Sequence, residues 1–199
     1  MIAFFLLFLG LATAVPATQI SGKFNIAGFS FGGKLPGEIY LGEAGEVHFR
    51  LTRPAGLPLI SFSYTREKVC FLFDFDNQYY EGTPAEFAQL SADQLRAEHI
   101  HKLFLGKEES IPQWHWHYKN NKLKKLIIGD TTPVAQIRYN QWKQGDFQRL
   151  NIDLIDTGWK LKGNITDKTK TDWDFQCVAP AGSQQLPLQK LTESMAPKQ

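Results

Sequence analysis

Apolar and polar residues alternate through most of this chain, and the alternation is clearest over residues 47–75. That stretch reads VHFRL, TRPAGLP, LISFSY, TREK and VCFLFDF, three apolar segments joined by turns of polar, Pro and Gly residues. Alternate side chains of a strand share a face. Val47, Phe49 and Leu51, then Ile60, Phe62 and Tyr64, then Val69, Phe71, Phe73 and Phe75 therefore form one broad, largely aromatic surface. A surface of that kind has to be covered.

Further strands are predicted over 21–31, 38–41, 78–81, 113–118, 123–128, 134–142, 147–155, 159–165 and 173–178. The stretch 167–172 (DKTKTD) reads as a charged turn. The pattern changes once. Thr83-Pro84-Ala85-Glu86 supplies an N-cap, a first-turn proline and a capping-box glutamate, and Ser91-Ala92-Asp93-Gln94 repeats the signature. Two helices follow, over 84–89 and 92–105, with Phe87 and Leu90 on the first. Leu95, Ile100, Leu103 and Phe104 lie on the second, and Gly106 can end it. The fold class is mainly β, with about 10–11 short strands that tight turns make antiparallel. The helical insert is the only helical material available to cover the aromatic face.

Composition keeps this picture and narrows it. The chain has 199 residues, 43% hydrophobic and 21% charged, which suits one globular domain. Fifteen Phe residues fit an aromatic sheet. A net charge of +2 with scattered Lys and Arg excludes a nucleic-acid footprint. Residues 1–11 are an apolar run followed by small residues at Ala12, Ala14 and Ala17, the pattern of an export signal or N-terminal anchor, without a basic residue ahead of it. The run is short of the roughly 20 residues of a membrane span. The expected organisation is 1–17 signal or anchor, 18–178 folded domain, and 179–199 loosely ordered tail, with Leu186-Pro187-Leu188 able to dock. Cys70 and Cys177 each lie in an apolar segment; a disulfide and two buried thiols are both open readings.

Candidate chemistry is sparse. His115 and His117 share one strand face and His99-x-His101 lies on a helix, where residues two apart do not converge. A metal site needs three or four convergent ligands, so surface or satisfied histidines are the expectation. Asp74, Asp76, Asp153 and Asp156 sit near strand ends and turns, where carboxylates face solvent. No Gly-x-Ser-x-Gly, His-Glu-x-x-His or P-loop occurs. Neither catalysis nor a cofactor is expected. Arg50 and Arg66 flank the aromatic sheet, with their roles open.

Three segments carry a resemblance. They are 49–56 (FRLTRPAG), 103–112 (LFLGKEESIP) and the closing strands over 120–163, with a Tyr strand, a Leu-rich strand and one of alternating Lys and Leu. In this order they resemble the LolA/LolB superfamily of bacterial lipoprotein carriers and outer-membrane receptors, and LolB-like proteins most. The resemblance implies a twisted antiparallel half-barrel with helices as a lid, and an apolar cavity that holds acyl chains of a lipoprotein or lipid. It also implies a monomer at the periplasm or the periplasmic face of the outer membrane, with another lipoprotein-sorting component as a further partner. The cavity candidates are Phe49, Leu51, Ile60, Phe62, Tyr64, Phe71 and Phe73 on the sheet, with Leu95, Ile100, Leu103 and Phe104 on the lid. Two departures stand out. No cysteine follows the apolar run for acylation, and the apolar tip of the family's membrane-facing loop is Ala55 here, with Leu57 two residues on. The rival reading is an envelope interaction module with a filled β-core, which gives the same alternation. The helical insert favours a cavity, since a closed sandwich needs no lid.

Overall fold

The computed structural model describes residues 14–27, 34–90, 97–108, 110–155, 159–174 and 176–195. Alternation produces β1 (Val15–Ala27), β2 (Leu35–Gly42), β3 (Val47–Thr52), β4 (Pro58–Tyr64), β5 (Val69–Phe73) and β6 (Gln78–Gly82). Two helices follow, α1 (Pro84–Leu90) and α2 (Ala97–Leu105). Then come β7 (Trp114–Lys119), β8 (Lys122–Ile128), β9 (Ala135–Lys143), β10 (Asp146–Leu154) and β11 (Trp159–Trp173). The chain closes with β12 (Gln184–Gln185) and α3 (Leu188–Met195).

All the strands join one open sheet in the order β12-β6-β5-β4-β3-β2-β1-β11-β10-β9-β8-β7. Every pairing is antiparallel except β12 with β6. This is the mainly β, unclosed half-barrel expected from the sequence. Its topology explains the lid. Strand β6 lies near one edge and β7 forms the other, so the chain between them has to cross the sheet's open side, and α1 and α2 lie on that crossing.

Register aligns the apolar face. Ile39, Phe49, Phe62, Phe71 and Tyr80 form one row across five strands. Leu51, Ile60 and Phe73 form the next. On the other half, Ile26, Leu161, Ile152 and Ile137 make a matching row. The main core joins both halves through Phe24, Ile20, Leu126, Ile137, Tyr139, Phe147 and Leu150, all under 2% exposed. Gly163 lies beneath the Phe24 ring, where a Cβ would stand 2.8 Å from the ring carbon.

Several expectations need correction. Strand β1 begins at Val15 and pairs with Trp173, so residues 15–17, expected to belong to the leader, are part of the sheet and Ala17 is buried. Residues 167–172 are not a turn. Their charged side chains lie along β11, whose backbone is hydrogen-bonded to β1, and backbone pairing there overrides polarity. Of the strand expected over 173–178, only Trp173 is in a strand among the described residues. The tail expected to be loose carries β12 and α3, and Leu186 and Leu191 are buried against Leu59, Ile60, Phe73 and Tyr80. Cys70 and Cys177 form a disulfide, with Cα atoms 6.1 Å apart. No helix among the described residues is long and apolar enough to cross a membrane.

Candidate functional site

Between the sheet and the helices lies a cavity of about 230 Å³. The sheet contributes Ile26, Val47, Phe49, Ile60, Phe62, Phe71, Phe73, Ile152, Leu154 and Leu161, and the helices contribute Phe87, Ile100, Leu103 and Phe104. Among the described residues every lining side chain is apolar, and none of them can orient a polar or charged group. Such a space selects by shape and apolar surface alone.

Eight of the sequence candidates meet here: Phe49, Ile60, Phe62, Phe71, Phe73, Ile100, Leu103 and Phe104. Leu51 and Tyr64 do not line the space; both are buried in the core on the same face. Leu95 lies outside the described residues. Six lining residues were not among the candidates: Ile26, Val47, Phe87, Ile152, Leu154 and Leu161. Phe87 carried a signal, as the apolar residue one turn into a capped helix. Ile152, Leu154 and Leu161 alternate in their strands, but only the β1–β11 seam brings that half opposite the aromatic strands.

The two helices are held differently. Helix α2 is fixed. Leu103 and Phe104 are 2% and 5% exposed, and the Tyr139 hydroxyl donates to the Leu103 carbonyl at 3.0 Å. Gly106 ends the helix at φ +64°, its N–H donating back to Leu103 and that of Lys107 to Lys102, an arrangement that favours glycine. The ring of His101 hydrogen-bonds the Gly42 backbone, and burial followed by the nearby Lys107 charge lowers its pKa. Helix α1 meets the sheet through Phe87, whose ring lies 5.7 Å from Phe62 and 5.9 Å from Phe71. Its N-terminus is a capping box: Thr83 N–H donates to Glu86 Oε2 at 2.7 Å, and Glu86 N–H to Thr83 Oγ1 at 3.2 Å. Both bonds are exposed.

The loop at one end of the cavity strands is a tight turn. Arg53 N–H donates to Leu57 O at 2.8 Å, Gly56 N–H donates to Arg53 O, and Ala55 and Gly56 both have positive φ. Ala55 is exposed, and Leu57 is 62% exposed. At the same end of the sheet, beyond Leu154, Ile155 is 49% exposed.

The convex face carries the polar residues of these strands. Arg50 pairs with Glu38 at 2.5 Å, and Glu38 also accepts from Gln19 and from the Tyr40 hydroxyl. The Trp173 ring stacks on Tyr40 at 3.6 Å, with His48 and Arg50 beside it. His48 Nδ1 bonds Ser63 Oγ at 2.7 Å. Burial first, and the Arg50 charge second, lower the His48 pKa to about 4 despite the opposing Glu38, so this histidine is neutral near pH 7. Arg50 thus belongs to a structural network. Arg66 lies exposed in the β4–β5 turn, facing a groove. His115 and His117 are exposed, with His115 3.4 Å from Asp130. Among the described residues no three His, Cys, Asp or Glu side chains converge as metal ligands.

The fold and site together define an open half-barrel with an apolar space under a crossing helical cover. No protein-family model matches the sequence, and no curated protein matches it. Solved structures do resemble it. A LolA superfamily protein from Nitrosomonas europaea matches at 11% identity over 81% of this chain and 90% of its own, with a TM-score of 0.48. An uncharacterized conserved protein from Thermus thermophilus matches at 10% identity over 88% and 91%, with a TM-score of 0.43. A domain from Vibrio parahaemolyticus described as an outer membrane lipoprotein-sorting protein matches at 8% identity over 78% and 85%, with a TM-score of 0.49. The first and third thus carry the descriptions that the sequence resemblance points to. All three scores lie below 0.5, so the functional reading rests on the cavity.

Proposed function

We propose that this protein binds an acyl chain of a lipid or lipoprotein in the cavity under α1 and α2, as a carrier or sorting protein of the bacterial envelope and not as an enzyme. The observation that carries this is a space whose fourteen lining side chains, among the described residues, include no polar one. A water's share of liquid is about 30 Å³ and a methylene is of similar size, so about 230 Å³ takes roughly eight carbons. At about 0.8 kcal/mol per methylene that is about 6 kcal/mol of gross transfer energy, before the costs of association. The volume suits one chain end, with the rest of the chain and the headgroup outside. Leu57, with Ala55 in its turn, and Ile155 then form an apolar rim for peripheral membrane contact where the headgroup would emerge. The disulfide supports an oxidising compartment such as the periplasm.

Native mass spectrometry of protein purified from a bacterial envelope, together with titration of a fluorescent fatty acid, tests this. Co-purified lipid and saturable uptake by one chain per protein are expected. A clean apo mass with no uptake overturns the proposal in favour of a filled-core interaction module.

A further inference from the structure

We infer that the Cys70–Cys177 bridge is an exchangeable latch: a dithiol reductant opens it in the folded protein, and opening it releases the C-terminal arm from the wall of the cavity.

Access comes first. The two cysteines line an open groove of about 500 Å³ on the convex face, beside Ser63, Arg66, Lys68 and Asp174. Cys70 is buried within β5, but Cys177 is half-buried between exposed Gln176 and Val178, the latter 71% exposed. A reductant therefore has a path to the Cys177 sulfur.

What the bridge holds comes second. The sheet does not depend on it, since β5 is hydrogen-bonded to β4 and β6 over its whole length. The bridge pins the chain between β11 and β12, whose described residues have no regular structure. Beyond it, β12 pairs with β6 through two residues, and α3 has eight. Neither element is stable in isolation. The arm is seated by Leu186 N–H donating to Tyr79 O at 2.7 Å, by Asn77 Nδ2 donating to Gly182 O at 3.0 Å, and by buried Leu186 and Leu191. Those leucines share a cluster with Ile60 and Phe73, which line the cavity. The disulfide on one face of the sheet thus tethers a strap that braces the cavity wall.

The exchange balances. A reductant thiolate bonds to Cys177 Sγ, the Sγ–Sγ bond breaks, and Cys70 leaves with the electron pair and takes up a proton. The second reductant thiol then attacks the mixed disulfide and frees Cys177, which is protonated in turn. Two electrons and two protons pass from the dithiol, which becomes a disulfide.

The test uses ligand-free protein and dithiothreitol. Reduction is followed by alkylation and intact mass, and amide exchange is followed by mass spectrometry before and after. We expect reduction in native buffer at least tenfold faster than global unfolding. Exchange should rise over residues 184–195 and stay unchanged over β1–β4, and Cys177→Ser should match the reduced protein over the arm. Reduction that proceeds only at the unfolding rate overturns the inference, as does an arm whose exchange is unmoved in reduced wild type. The effect on cavity occupancy rests on the acyl-chain reading and is measured separately, as faster release of a fluorescent fatty acid from the reduced protein. If no fatty acid binds at all, that reading fails while arm release stands or falls on exchange.

Discussion

A cavity and a filled core respond with opposite sign to an added side chain, and Ile152→Phe exploits that. Ile152 lines the cavity from β10, opposite the aromatic strands, and both residue types suit a strand. Phe carries three more side-chain carbons than Ile. In a close-packed interior, such overpacking costs about 1–3 kcal/mol. Against an empty space of about 230 Å³ the ring has room, so unfolding free energy is expected to stay the same or rise by up to about 1 kcal/mol. The same ring displaces two to three ligand methylenes, at about 0.8 kcal/mol each. Affinity for a fluorescent fatty acid should therefore fall by about 2 kcal/mol, roughly thirtyfold. Urea unfolding and fatty-acid titration on the same preparation read both effects. A destabilisation of about 1–3 kcal/mol with unchanged binding would refute the cavity, whatever the ligand proves to be.

Two further predictions concern the frame around the cavity. Tyr139→Phe removes one of two donors to the Leu103 carbonyl, the Gly106 N–H being the other, and should cost about 0.5–1.5 kcal/mol in urea unfolding while loosening α2. His48 is held below its ordinary pKa when folded, so the unfolded chain takes up its proton first as pH falls. Its contribution is complete above about pH 6.5 and is lost between 6.5 and about 4, about 3 kcal/mol in all. His48→Gln should flatten the stability profile in that window, and an unchanged slope counts against the burial argument.

Much of the sheet was legible because burial on one face imposes a period of two. Phe49, Phe62 and Phe71 announce their shared row, and register places them side by side. The capping box at Thr83 and Glu86 was legible because it is local chemistry. What failed was non-local. Residues 167–172 look like a turn until β1 lies alongside them, and Val15–Ala17 look like leader until β11 does. Leu186 and Leu191 sit in a Pro- and Gln-rich tail whose polarity hides two buried side chains. The far wall of the cavity was obscure for the same reason, since Ile152 and Leu161 meet the aromatic face only across the central seam.

That seam bears on how the molecule assembles. Strands β1 to β6 can zip up as successive hairpins, and so can β7 to β11, but Val15 meets Trp173 only when nearly the whole chain is available. Thirteen residues of β1 wait on this distant partner, and closing so long a loop makes folding slow. Until it closes, two half-sheets stand with aromatic faces and bare edges. The cavity thus needs both half-sheets joined, and a chain that still lacks β11 has none.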